Sequence, residues 1–170
     1  MPAESLAAKA KVTDLLITNT SENLLVYFKA ENCFTRDMEE AILAGIPTTF
    51  TFVMELYRER RYWFDKRESL LEVRHIIKYD NIKKLFYVAF TGDGRNPEQF
   101  KEFLKAKIAM SELNGAVLTS LRQMTKGDRY YLRVKAKLEK VRLPLHLEYV
   151  FFFVSLWDFE TDWLRQDFVY

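Results

Sequence analysis

Residues Tyr130–Glu139 read Tyr-Tyr-Leu-Arg-Val-Lys-Ala-Lys-Leu-Glu, and this alternation constrains the chain more than any other feature. Leu132, Val134, Ala136 and Leu138 fall on one side; Arg133, Lys135 and Lys137 fall on the other. A period of two is that of a half-buried β-strand. Thr48–Tyr57 repeats the pattern, with Phe50, Phe52, Met54 and Leu56 on one face and Thr49, Thr51, Val53, Glu55 and Tyr57 on the other. Tyr149–Trp163 gathers Phe151, Phe152, Phe153, Trp157, Phe159 and Trp163 around Asp158, Glu160 and Asp162. It is expected to lie beside the basic strand, burying an aromatic face and pairing cations with carboxylates on the other.

Further strands are expected at Lys11–Thr18, Leu24–Ala30, Val73–Tyr79 and Leu85–Thr91, with a short one at Ala116–Leu121. Polar clusters at 19–23 and 80–84 read as hairpin turns. Two short helices complete the set. The first opens at Thr35, an N-cap with Asp37 in the first turn, and stops at Gly45 before Pro47. The second opens at Asn96-Pro97-Glu98-Gln99 and carries Phe100, Phe103, Leu104 and Ile108 at helical spacing, ending before Asn114-Gly115. Pro144 marks a break. The expected fold class is mainly β (α+β): an antiparallel β-sandwich or strongly curved sheet of about eight strands with two short helices. Residues 1–10 read as a disordered or polar lead-in and 11–170 as a single β-rich domain. A chain of 170 residues with 49% hydrophobic side chains can bury about 70% of its unfolded surface.

Composition excludes some functions. A formal net charge of +2 is too small for a dedicated nucleic-acid binder. The single cysteine, Cys33, cannot form an internal disulfide and reads as a small buried hydrophobe at a strand end. Residues 1–10 lack the basic start and apolar stretch of a signal peptide. The longest apolar run, Tyr149–Trp157, is far short of the ~20 residues of a spanning helix.

Candidate chemistry is sparse. His75 and His146 stand on separate strands, His75 on the side of Val73, Ile77 and Tyr79; no metal site is expected from them. No serine lies in a nucleophile elbow. Gly92-Asp93-Gly94 lacks the third glycine of a phosphate cradle and reads as a loop. Asp158, Glu160 and Asp162 share one strand face, as a carboxylate pair for glycoside chemistry would, but charge pairing with Arg133, Lys135 and Lys137, or plain solvent exposure, accounts for them better. No catalytic, cofactor-binding or metal-ligating residue is assigned. The segment that stands out is Tyr57, Arg58, Arg60, Arg61, Tyr62 and Trp63, followed by Phe64, Lys66 and Arg67 and diluted by Glu59, Asp65 and Glu68. It reads as a solvated strand edge, a protein or anionic-lipid contact, or an RNA-stacking patch. Aromatic residues, 15% of the chain, either fill the core or line a cavity for an apolar ligand between the sheets.

Several short elements in order carry a family resemblance: Phe34-Thr35, Glu40-Ala41-Ile42, Gly45-Ile46-Pro47, Thr49-Phe50, Tyr79-Asp80, Leu143-Pro144, Ser155-x-Trp157 and Thr161-x-Trp163. From about Lys11 onward the chain resembles a bacterial domain-of-unknown-function family numbered 4390. The resemblance implies an envelope protein, some members being encoded beside a two-component sensor kinase, and it supplies no catalytic residue. Members usually carry an N-terminal signal or anchor. A periplasmic or membrane-associated location is therefore expected if a targeting segment has been removed, and a cytoplasmic one otherwise. The leading expectation is a non-enzymatic domain that binds another protein, a membrane sensor or its own copy. The rivals are a carrier of a lipid-like ligand and a carboxylate enzyme.

Overall fold

The computed structural model describes residues 8–139 and 159–170. Two strands, β1 (Lys11–Asn19) and β2 (Asn23–Glu31), form the first hairpin, closed by the Thr20 hydroxyl, which accepts from the backbone N–H groups of Glu22 and Asn23. Helix α1 (Arg36–Leu43) follows, with Thr35 accepting from Met38 N–H and Met38, Ala41 and Ile42 turned inward, as the sequence predicts. Strands β3 (Thr48–Arg58), β4 (Lys66–Asp80) and β5 (Leu85–Thr91) form an antiparallel meander. A short strand β6 (Glu98–Phe100), helix α2 (Phe103–Ser111), strand β7 (Glu112–Ser120) and a 3-10 turn (Leu121–Gln123) lead to β8 (Arg129–Leu138) and β9 (Leu164–Val169).

The strands make two antiparallel sheets. Three are ordered β1-β2-β7 and six are ordered β6-β5-β4-β3-β8-β9. The chain is mainly β with two α-helices, and the smaller sheet covers the middle of the larger one. Phe28 of β2 meets Phe52 of β3 edge-on at 5.4 Å, and Ser69 of β4 donates to the Leu118 carbonyl of β7. Helix α2 covers the remaining face over β5, where Phe103 stacks on Phe86 at 4.8 Å. Phe50, Phe52, Met54 and Leu56 are all fully buried, as are Leu132, Val134 and Ala136. The alternation in Thr48–Tyr57 and Tyr130–Glu139 therefore marks two adjacent interior strands of the larger sheet, β3 and β8. One apolar cluster joins both sheets and both helices. Residues 8–10 of the lead-in belong to this body: Ala10 packs on the core and Lys9 pairs with Asp162.

Several expectations are corrected. The helix start at Asn96-Pro97 is instead an edge strand, β6, whose Glu98, Gln99 and Phe100 pair with Val88, Tyr87 and Phe86. Ladder pairing on the open edge of β5, with Phe100 against the core, wins over a local capping signal. Helix α2 starts at Phe103 without a side-chain cap bond. It buries Ala106, Ala109 and Met110 and leaves Leu104 and Ile108 exposed, so its inward stripe is not the expected one. Strand β7 begins at once and runs through Asn114-Gly115. Strand β4 extends well before Val73. Strand β8 pairs with an unexpected strand, β9; of Tyr149–Trp163, residues 159–161 do lie beside β8, the Phe159 carbonyl accepting from Leu138 N–H, Thr161 N–H donating to the Ala136 carbonyl and Glu160 bridging Lys137. Pro144, His146 and Tyr149–Asp158 lie outside the described residues.

Two glycines show why a turn residue can sit in a strand or at its end. Gly115 is the extra residue of a bulge in β7, between Asn114 opposite Tyr27 and Ala116 opposite Val26, at φ +79°. Gly92, at φ +100°, closes β5 so tightly that a Cβ would lie 2.6 Å from the backbone oxygen of Glu72. At Gly115 a Cβ would meet the outer end of the Tyr27 side chain, its hydroxyl at 2.9 Å and ring Cζ at 3.2 Å, and no backbone, so the neighbour can swing aside. Gly92→Ala should therefore cost about 3 kcal/mol or more and Gly115→Ala about 1–2 kcal/mol in urea unfolding. Equal costs would contradict the crowding assigned to Gly92.

Candidate functional site

The candidate surface separates into a platform and a tip. Tyr57 and Arg58 belong to the platform. The Tyr57 ring stacks on Tyr131 at 5.0 Å and 9°, and its hydroxyl donates to Glu55. Arg133 pairs with Glu55 and lies over Tyr57, while Arg165 lies 3.6 Å over Tyr131. Arg58 bridges Glu68 at 2.9 Å and Asp128 at 3.4 Å. These contacts fix the ends of β3 and β8 and leave Tyr57 and Arg58 poorly placed for a partner.

Beyond Arg58 the chain leaves the sheet. Asp65 closes the base of the loop: one carboxylate oxygen accepts from Arg60 N–H and the other from the Tyr131 hydroxyl. Burial, then this bond to Asp65, push the Tyr131 phenol above its ordinary pKa. The apex carries Tyr62, Trp63 and Phe64, which are 85%, 75% and 89% exposed. Single exposed apolar side chains are ordinary on a protein surface; three adjacent large aromatics on one hairpin tip are a contiguous apolar patch. Phe64 is the most exposed of the three, though sequence spacing assigns only Tyr62 and Trp63.

Beside the loop base lies a cleft of about 650 Å³ lined by Glu59, Arg60, Arg61, Asp65, Gly127, Asp128 and Arg129. Asp128 and Arg129 are distant in sequence from the loop. Pairing of Arg58 with Tyr130, and of Glu59 N–H with the Arg129 carbonyl, brings them there. No local signal marks them, because their position depends on β8 pairing with β3.

The remaining candidates are mostly structural. Cys33 is buried just after β2, and burial pushes its thiol up to about 12, so it is an inert thiol at neutral pH. Glu160 pairs with Lys135, and Asp162 pairs with Lys9 at 2.8 Å on an open surface. Asp158 lies outside the described residues. Among the described residues no group of three or more His, Cys, Asp or Glu side chains is placed to hold a metal.

His75 is the exception that sequence reading only half identifies. It is fully buried, edge-on between Phe52 at 4.9 Å and Phe90 at 4.7 Å. Its Nδ1 lies 3.1 Å from the Met110 carbonyl, which can only accept, so Nδ1 carries a proton and ties β4 to the last turn of α2. Its Nε2 lies 3.4 Å from Asp93 Oδ2, whose side chain is also fully buried. The loop read as Gly-x-Gly thus turns its central aspartate inward. Among the described residues, His75 Nε2, Asp93 Oδ2 and Arg95 Nη1 are buried without a hydrogen-bond partner.

Burial is the largest influence on His75 and holds its pKa below the usual 6.5, with Arg95 acting in the same direction; the Met110 carbonyl and Asp93 oppose it. The sign follows from linkage. As pH falls below 6.5 the unfolded chain takes up a proton that the folded chain resists, so stability is lost. One such proton gives a slope of at most about 1.4 kcal/mol per pH unit. Urea unfolding from neutral pH to about 5 should show this loss. His75→Asn, which keeps an N–H toward Met110, should flatten it; an unchanged slope would contradict the assignment.

A family model described as Domain of unknown function (DUF4390) matches residues 7–167. No curated protein and no solved structure matches the chain. The matched span takes in both sheets, the aromatic tip and the cleft beside it, and it covers nearly the whole length: the chain belongs to the DUF4390 family.

Proposed function

We propose that this protein is a non-catalytic docking domain of the cell envelope, and that the β3–β4 hairpin tip is its contact element. The observation that carries this reading is the exposure of Tyr62, Trp63 and Phe64 side by side on a loop whose base is fixed. Exposed aromatics contribute most of the energy at many binding surfaces, and a rigid base lowers the entropy cost of ordering them. The ion pairs made by Glu160 and Asp162 weigh against a carboxylate enzyme. Phe28 meeting Phe52 between the layers weighs against a ligand held at that point. The envelope placement follows the family resemblance.

A photoreactive amino acid at position 63 tests the reading in cells making the full chain. Ile82, 95% exposed in the β4–β5 turn, is the control position for mere exposure. Adducts should form from position 63, sediment with the membrane fraction, and be absent from position 82. Identical adducts from both positions, or none from 63, would overturn the proposal.

A further inference from the structure

We infer that the occupant of this tip is an anionic lipid surface, with Tyr62, Trp63 and Phe64 entering the interface and the adjoining cleft receiving lipid phosphate. The inference rests on the docking reading and names its partner.

The cleft contains three carboxylates and three guanidinium groups, so its formal charge alone says little. Two of the carboxylates, however, are ion-paired. Glu59 pairs with Arg165 at 3.0 Å, and Asp128 pairs with Arg58. Asp65 accepts from Tyr131 and from the backbone of Arg60. Among the described residues Arg60 and Arg129 have no carboxylate partner, and Arg61 lies only over the Tyr62 ring, 5.6 Å from its centre. Lys126, exposed in the turn next to Gly127 and Asp128, is likewise without one. Asp65 keeps its charge because its donors are neutral, but these four cations outnumber it, so the free charge at the cleft is net cationic and mostly guanidinium, whose planar fork suits phosphate oxygens.

The order of the two groups selects among partners. The aromatics occupy the apex, while Arg60 and Arg129 stand at the loop base. A bilayer presents the same order: an apolar interior, then an interfacial zone favoured by Trp and Tyr, then phosphates. An acidic protein partner would satisfy the guanidinium groups but would need a preformed pocket for three splayed aromatics. Anionic leaflets also attract basic side chains, in a manner weakened by salt.

Sedimentation of the full chain with vesicles tests the inference. Phosphatidylcholine vesicles should bind weakly, and vesicles that also contain phosphatidylglycerol should bind strongly at low salt and weakly at high salt. The triple change Tyr62→Ser, Trp63→Ser, Phe64→Ser should weaken binding by about tenfold or more. The pair Arg60→Gln, Arg129→Gln should weaken it about fivefold per residue. All substituted positions are exposed, and unchanged circular dichroism will show that the variants fold. Inorganic phosphate at millimolar levels should not displace the protein; full displacement would assign the cleft to free phosphate instead. Equal binding to both vesicle types, or none lost in the arginine variant, would overturn the lipid assignment. A protein adduct from position 63 with no vesicle binding would also overturn it, while leaving the docking reading intact. Failure of both experiments would remove both.

Discussion

Burial of β3 on both faces is the constraint on which the other features depend. Its edges are hydrogen-bonded to β4 and β8 along nearly the whole strand. One face, Phe50 to Leu56, supplies the aromatic and aliphatic surface against which the smaller sheet and the helices pack. The other face is also shielded: Thr51, Val53 and Glu55 are buried. Thr51 donates to Glu139, and Glu55 is surrounded by Arg133, Arg67 and the Tyr57 hydroxyl. A buried carboxylate is tolerated only with such partners, because desolvation would otherwise favour its neutral form. The ion pairs at this face are thus part of the architecture rather than a reserve of chemistry.

This explains how a tip made of costly residues can persist. The hairpin that carries Tyr62, Trp63 and Phe64 continues β3 and β4, which pair from Thr48–Ile77 out to Arg58–Lys66. Stacking of Tyr57 on Tyr131, the bridge from Arg58 and the two bonds to Asp65 fix its base. The aromatics add nothing to the core. Three large apolar side chains held in water are a liability for solubility unless something covers them, which is why exposure here carries functional weight and exposure of Leu16 or Val169 on the sheet edges does not.

The parts legible in the sequence are those in which neighbours along the chain decide the structure. Period-two alternation identified β3 and β8, turn residues identified the β1–β2 and β4–β5 hairpins, and Thr35 and Gly45 bounded α1. The parts not legible depend on distant partners. The capping pattern at Asn96 is chemically sound, yet the open edge of β5 takes Glu98–Phe100 as a strand. Gly115 looks like a terminator and is a bulge. β9 has modest alternation of its own and is defined by pairing with β8. The site divides in the same way. Tyr62 and Trp63 were visible as an aromatic-basic cluster. The arrival of Arg129 at the cleft, and the turn of Asp93 toward His75, required tertiary structure. The His75–Asp93–Arg95 group is where local polarity and burial disagree most, and it lies where β4, α2 and the loop after β5 meet.

Native-state hydrogen exchange tests the central role of β3 most directly. The account predicts that amides of Phe50–Leu56 exchange slowest in the molecule, through global unfolding, while those of Tyr62–Phe64 exchange with almost no protection. Slow exchange confined to the smaller sheet, or protection of the tip equal to that of β3, would contradict it.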